Sequence, residues 1–385
     1  MLFTTPALLG HVHPMAPLAR AMVARGHDVV WAIPADGVGH VERMGIRAVA
    51  TAPALPMHPV EIRSRYPELQ ALAVEAVPEF MFGKLFGAIA APAMLSGLLP
   101  LALRWRPQLI VSDAAELAGH IVAAELGVLS ITKGFGPILP ARRVAAAGQE
   151  VAPLWQSRGL EAPEFAGCYR NLYLDIYPPG LQPQAVPHIP HRQLLRPDQE
   201  DAGVEHGSSL PLPSARPDAP LVYVTMGTVF NDPAPIKRVL AALSELAVRV
   251  LVTVGPDADP SALGSQPSHV RVEQYVPQTA VIRNCDLVVS HAGSGTVLST
   301  LTQGLPQLCL PQGADQFLNA SAVTTSGAGL ALAPNEATAE AIRDAVTRLL
   351  DDSGFSTAAT RLSGEIAAMP SPDEVAAVLE THVAA

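Results

Sequence analysis

The sequence predicts an α/β protein made of two parallel-sheet domains, and three observations lead there. Short apolar runs alternate with helix-length stretches through both halves of the chain, the pattern of strands joined by crossover helices. A stretch dense in proline and glycine interrupts that alternation midway. With 385 residues, 49% of them hydrophobic, the chain is long enough to bury two cores.

The elements can be justified in order. Leu2–Pro6 reads as a strand, followed by a helix from about Pro14 to Ala24 that Gly26 stops. A second strand covers Asp28–Ile33. Leu85–Leu103 carries no charge over a length that could cross a membrane. Pro92, Pro100, two glycines and many alanines keep it only weakly hydrophobic, so a helix lining an apolar pocket is expected, not a membrane insertion. Leu109–Asp113 is a short apolar strand ending in an acid; a helix over Ala114–Leu126 and a strand over Val128–Thr132 follow. Pro178–Pro220 admits neither a long helix nor a central strand. Beyond it, Leu221–Thr225, Val248–Val254, Val270–Glu273, Asp286–Ser290 and Gln307–Leu310 read as strands. The expected organisation is therefore a domain over 1–200, a proline-rich linker region over 178–220 and a domain over 216–385. The last helix of the chain is free to pack back on the first domain.

Charge and cysteines narrow the partners. A formal net charge of −10, with no basic stripe, argues against DNA or RNA. Cys168, Cys285 and Cys309 are far apart without a CxxC pair, so neither a disulfide framework nor a zinc site can be drawn from them. A reducing cytoplasm is the expected compartment, and the N-terminus carries no basic lead of a secretory signal.

In open α/β sheets ligands bind beyond the carboxyl ends of the strands, so the residues that follow strands matter most. Asp286–Gly304, DLVVSHAGSGTVLSTLTQG, is an apolar strand, a glycine- and hydroxyl-bearing turn, and a helix. Free N–H groups at a helix start, close backbone approach at glycines, and donors on Ser294, Thr296 and His291 suit a phosphate or diphosphate. The alternative is an ordinary turn with a satisfied histidine. Two named anion motifs fail: GxGxxG has Leu298 at its third glycine, and GxxxxGK[ST] is absent. After Gln307–Leu310, Asp315 and Gln316 place a carboxylate and an amide at a helix start, a pair suited to sugar hydroxyls, although Asp315 also suits a helix cap. Met226-Gly227-Thr228 is a third strand end with a hydroxyl and backbone donors.

These residues carry a resemblance. HAGSGT followed by GLPQLCLPQGADQFLNA, the opening FTTPALLGHVHPMAPLARAMVARGHDVV, and LYLDIYPPGLQP resemble family 1 glycosyltransferases, in particular actinobacterial enzymes that decorate antibiotic scaffolds. The likeness runs from Leu2 to about Leu350. It implies the GT-B fold, two Rossmann-like domains facing across a cleft, with the acceptor on the first and the nucleotide sugar on the second. Position by position, it implies that His291, Gly293, Ser294, Gly295 and Thr296 hold the diphosphate, with Thr228 contributing. Val276 and Gln278 would border the nucleotide base, and Asp315 and Gln316 would bind the donor sugar. It favours dTDP over UDP and implies no cofactor, the nucleotide sugar being a co-substrate.

Sugar transfer needs a base for the acceptor's proton, and an imidazole held by a carboxylate suits that task. His11 follows the first strand and Asp113 ends another, so both belong to one carboxyl edge; by resemblance they form the dyad of an inverting enzyme. One departure is visible: the usual GHVNP reads GHVHP, which puts a second imidazole, His13, beside the expected base. No cluster of acids suggests Mg²⁺. Phe80, Phe82, Phe86, Leu139 and Trp155 fall in segments expected to wall a pocket for a small apolar aglycone. Two other classes stand beside this reading: a nucleotide-sugar epimerase of the same architecture, and a non-catalytic activator of a partner transferase. The sugar, the acceptor, the O-, N- or C-linkage and the oligomeric state, a homodimer included, are left open.

Overall fold

A computed structural model describes residues 1–384 except 56–58, 73–75, 183–185, 199–209, 228–232 and 256–257. Its contacts divide the chain into two units. The first comprises Met1–Ile176, Pro183–Asp198 and Pro370–Ala385; the second comprises Tyr177–Gln182 and Gln199–Met369.

The first unit is a seven-stranded parallel sheet of β1 (Leu2–Thr4), β2 (Val30–Pro34), β3 (Ala48–Ala52), β4 (Leu109–Asp113), β5 (Leu129–Lys133), β6 (Tyr173–Asp175) and β7 (Arg192–Leu194). Its order is β3-β2-β1-β4-β5-β6-β7, so the direction of winding reverses between β1 and β4. Every residue of β1, β2 and β4 is buried, as strands covered by helices on both faces require. The helix after β1 runs over Leu9–Ala24, five residues earlier than its proline signal suggests, so His11 lies in its first turn. Pro14 and Pro17 stand inside that helix. Pro14 leaves the Gly10 carbonyl without its helical N–H partner.

The uncharged segment belongs to a helical run, Val77–Trp105, of 29 residues, whose most apolar 18-residue window has a mean hydropathy of 1.8. By length and composition that run could cross a membrane, but Met94, Leu95, Leu98, Leu99 and Ala102 are buried within the first unit. Its middle, Gly83–Ala90, is a π-helix, a geometry that often accompanies functional sites. Gly97 permits its contact with β3, since a Cβ there would meet the Thr51 carbonyl oxygen at 2.2 Å. The helix Pro372–Ala384 closes this unit: Arg25 Nε and Nη2 donate to Glu380 at 2.9 and 2.7 Å, and His27 lies 2.8 Å from the same carboxylate.

The second unit holds β8 (Leu221–Thr225), β9 (Arg249–Thr253), β10 (Val270–Glu273), β11 (Leu287–Ser290), β12 (Gln307–Cys309) and β13 (Gly329–Ala331), all parallel, in the order β10-β9-β8-β11-β12-β13. Alternate residues serve two cores. Val222, Val224, Val250, Val252 and Val289 face one layer; Leu221, Tyr223, Leu251 and Val288 face the other. The reversal between β8 and β11 repeats that between β1 and β4, so each sheet has one crevice at its carboxyl edge.

Candidate active site

His11 with Asp113 and the turn at Gly293 stand at these reversals, while Asp315 and Gln316 follow β12, the next strand along. In the first unit, His11 lies just beyond β1 and Asp113 ends β4, the two strands that flank the crevice. His11 Nδ1 sits 2.8 Å from Asp113 Oδ1. The carboxylate accepts, so the imidazole donates from Nδ1 and Nε2 remains as its basic nitrogen. The Ala115 N–H also donates to Asp113 Oδ1 at 2.8 Å, which fixes the carboxylate's direction. Asp113 is fully buried and His11 nearly so.

Rings close around the imidazole. Phe135 lies 4.1 Å from it, centroid to centroid, and Phe86 lies 5.9 Å away on the π-helix. Phe82 packs on Phe86 at 4.9 Å, whereas Phe80 packs on Tyr66 at 5.8 Å. Leu139 and Trp155 are both buried, and Trp155 lies against the backbone of Gly167. Phe135 is absent from the sequence-based set. Its position two residues beyond β5 is the signal that identifies it, by the same strand-end rule that finds His11.

In the second unit the crevice is formed by the turns after β8 and β11. The helix Ser294–Thr302 has Gly293 as its N-cap, and no side chain caps it. Its first-turn N–H groups therefore face a position suited to an anion. Ser294 and Thr296 are buried in that turn, and Gln278 Nε2 donates to Thr296 Oγ1 at 2.8 Å. Val276 is buried in the apolar layer beneath. Thr228 lies outside the described residues.

The His291 ring is held between two glycines. A Cβ on Gly227, where φ is +78°, would meet the ring at 2.6 Å, and one on Gly293 would meet Nε2 at 2.5 Å. Burial pushes this imidazole down to about 4, against the opposing charge of Asp315, so it is neutral near pH 7.

Asp315 and Gln316 start the helix after β12, but much of their capacity is already engaged. Ser294 Oγ donates to Asp315 Oδ2 at 2.7 Å, and Asn319 Nδ2 donates to the same oxygen at 3.0 Å. Oδ1 is the oxygen left to face a ligand. Gln316 Oε1 accepts from the Gln312 and Gly313 N–H groups at 2.7 and 3.0 Å, so its amide nitrogen is what it can offer a sugar.

Asn319 links these parts and was not anticipated from sequence. Fully buried, it donates from Nδ2 to the Ala292 carbonyl at 2.7 Å as well as to Asp315, and the Tyr177 hydroxyl donates to its Oδ1. The only local signal is its place one helical turn after Asp315; Tyr177 gives none, being 142 residues away.

Known proteins carry the same arrangement of sequence and fold. Residues 237–382 match the erythromycin biosynthesis protein CIII-like, C-terminal domain. The chain is 33% identical over 397 residues to elloramycin glycosyltransferase ElmGT of Streptomyces olivaceus, spanning 98% of this chain and 95% of that one. It is 30% identical over 385 residues to L-demethylnoviosyl transferase of Streptomyces niveus, across 98% and 96% of the two chains. Among solved structures, spinosyn rhamnosyltransferase SpnG matches with a TM-score of 0.83 at 27% identity, over 98% of this chain and 99% of that one. SpnG has also been solved complexed with thymidine diphosphate and with spinosyn aglycone. SnogD from Streptomyces nogalater matches with a TM-score of 0.78 at 27% identity, over 99% and 98%. Such end-to-end identity on a shared pair of parallel sheets leaves one conclusion: this chain belongs to the antibiotic-tailoring glycosyltransferases of the GT-B fold, and it is a glycosyltransferase.

Proposed function

We propose that the enzyme transfers a (deoxy)sugar, with inversion at the anomeric carbon, from a dTDP-sugar to a small apolar natural-product aglycone, with UDP-sugars as the less favoured donors. The observation that carries this reading is the buried Asp113 carboxylate 2.8 Å from His11 Nδ1, at the reversal of the first sheet.

In this reading His11 Nε2 takes the proton of the acceptor hydroxyl, and Asp113 stabilises the imidazolium that forms. The acceptor oxygen bonds to the anomeric carbon as the bond from that carbon to the β-phosphate oxygen breaks, and the electron pair leaves with the diphosphate. One displacement inverts the centre. The charge that develops is met by the Gly293-capped helix start and by the hydroxyls of Ser294 and Thr296, so the chemistry needs no metal ion or cofactor. The neutral His291 ring acts as a hydrogen-bonding and packing group there, not as a cation. Asp315 Oδ1 and the Gln316 amide nitrogen receive donor-sugar hydroxyls.

Two features support the substrate classes. SpnG, similar throughout its length, is known complexed with thymidine diphosphate and with an aglycone. The Phe86 and Phe135 rings beside the base suit an apolar acceptor surface.

A mass-spectrometric screen of dTDP- and UDP-sugars against aromatic and macrolide aglycones tests the reading. Turnover is expected with dTDP-deoxysugars. His11→Ala should reduce transfer by about 100-fold or more, the usual contribution of a positioned base, while calorimetry finds dTDP affinity within about twofold of the parent. Undiminished turnover in that variant refutes the assignment of the base.

A further inference from the structure

One buried ionisable group beside the dyad has no part in the mechanism above. Lys133, the last residue of β5, is fully buried, and no hydrogen-bond acceptor reaches its Nζ. It is the register partner of Asp113 on the adjoining parallel strand. Paired residues on parallel strands project to the same face of the sheet, so the amine shares the face of the carboxylate that holds His11, near it but without a direct ion pair. The second oxygen, Asp113 Oδ2, also lacks a hydrogen-bond partner. A buried cation and a buried anion in adjacent positions, each with unmet polar capacity, interact through a medium of low dielectric.

We infer that Lys133 is a positioning residue for the base: its buried ammonium holds Asp113 as the carboxylate that orients His11, and it sets the pH range over which His11 accepts a proton. This rests on the assignment of His11 as the base.

The surroundings are consistent with a single dominant partner. Burial pushes Lys133 down to about 7, and Asp113 is the one charge that opposes the fall. Glu116, in the turn after β4, has its carboxyl oxygens occupied by the Ala118 and Gly119 N–H groups at 2.9 and 3.0 Å, and burial raises it to about 7. His120, on the helix Ala118–Leu126, lies 3.2 Å from both the Ser130 and Thr132 hydroxyls, and burial lowers it to about 4. From β6 and the turn before it, Tyr173 and Cys168 are both raised by burial and stay neutral. Asp175, also on β6, is paired with Arg192 at 3.6 Å. The ammonium is present below about pH 7 and is lost as pH rises through that value.

The sign of the effect follows. A positive charge beside the dyad opposes protonation of the imidazole and of Asp113. Removing it should let both keep protons to higher pH. In Lys133→Met, the acid limb of the kcat/KM profile should move up by about one pH unit, a typical effect of a nearby buried charge. The deficit should be about tenfold at pH 6 and should shrink as pH rises. A purely structural lysine would give a deficit that is flat with pH, and that result overturns the inference.

A second measurement uses the intact side chain. The chain has three lysines, Lys84, Lys133 and Lys237, so ¹³Cε-lysine labelling gives three NMR signals, two of them assignable with Lys84→Arg and Lys237→Arg. The third should titrate near neutrality, and Asp113→Asn should lower its midpoint by about one unit, because linkage is reciprocal. A midpoint in the ordinary lysine range, or one indifferent to Asp113→Asn, overturns the coupling while leaving the base reading intact. Conversely, a His11→Ala enzyme that still turns over sinks the base reading without moving the lysine signal.

Discussion

Asn319→Leu isolates the polar junction of the donor site. Leucine keeps the branched shape of asparagine and is somewhat larger, so the change removes hydrogen bonds without opening a cavity. It leaves the buried Ala292 carbonyl, previously bonded at 2.7 Å, without the Asn319 donor, and it removes the bond that Asn319 accepts from the Tyr177 hydroxyl. The stranded carbonyl costs about 1–2 kcal/mol and the lost Tyr177 bond about 1 kcal/mol, which gives about 2–3 kcal/mol together. Asp315 loses one of two donors but keeps Ser294 at 2.7 Å, so its share is smaller. For a unit of this size the loss lowers the melting temperature of its transition by about 4–12 °C. Tyr177→Phe removes only the hydroxyl and should cost about 1 kcal/mol. In the double variant the costs should fall short of additivity by about 1 kcal/mol, because the two side chains share a bond. Calorimetric melting of the four proteins in the cycle measures these values, and the donor KM should rise as Asp315 loses its orientation. An Asn319→Leu enzyme that melts within about 2 °C of the parent would show that the junction contributes no more than an exposed contact.

Thr296→Val should weaken dTDP binding by about tenfold in titration calorimetry, the value of one hydrogen bond to a charged group; undiminished affinity would count against the phosphate assignment. Gly227→Ala places a methyl 2.6 Å from the His291 ring at φ +78°, so both steric terms oppose it. Its stability should fall by about 2 kcal/mol or more in urea unfolding, with dTDP affinity falling too. Acidification should destabilise the fold in the window below about pH 6.5. His291 and His120, both depressed to about 4, are neutral in the folded protein and ordinary in the unfolded chain, so the unfolded state takes up protons first. Glu116, raised to about 7, takes up its proton first in the folded protein and offsets part of that loss, about one histidine's share. A net fall therefore remains as pH drops from 6.5 towards 4, and a midpoint in urea that rises from pH 7 to pH 5 would contradict those environments.

Much of this architecture is legible in the sequence where a local signal exists. β1, β4, β8 and β11 are continuous apolar runs, and the residues just beyond them are the ones that the crevices collect. β6, β7 and β13 have three residues each, too few for a run to stand out, and β7 lies inside the stretch read as linker. It survives there as an edge strand because its neighbouring prolines stay outside the pairing. The helix after β1 was placed too late because proline marks a first turn statistically, whereas Pro14 here stands in the interior. Tyr177 and Asn319 illustrate a different limit. A bond between residues 142 positions apart leaves no periodicity, and their types are ordinary for a loop and a helix.

Backbone strain at the second crevice bears on how the site could work. Ala292 and Ala314, the residues just before Gly293 and just before Asp315, adopt left-handed conformations at φ +63° and +54°. An alanine there costs about 1 kcal/mol or more, and it persists only where its surroundings fix it. Those of Ala292 do: its N–H donates to Ser290 Oγ at 3.1 Å, its carbonyl accepts from Asn319, and its methyl is buried. The bonds that hold the strained residue are thus the same ones that aim Ser294 and Asp315. In the mechanism proposed above, a site fixed in this way would meet a developing diphosphate charge without first reorganising, the condition under which electrostatic stabilisation is most effective. The crevice of the first unit is fixed differently, by rings and a buried carboxylate closed around one imidazole. In each unit that rigidity gathers around strand ends that flank the reversal of winding, where two neighbouring strands send their chains to opposite faces, and in the second unit the helix after β12 adds to it.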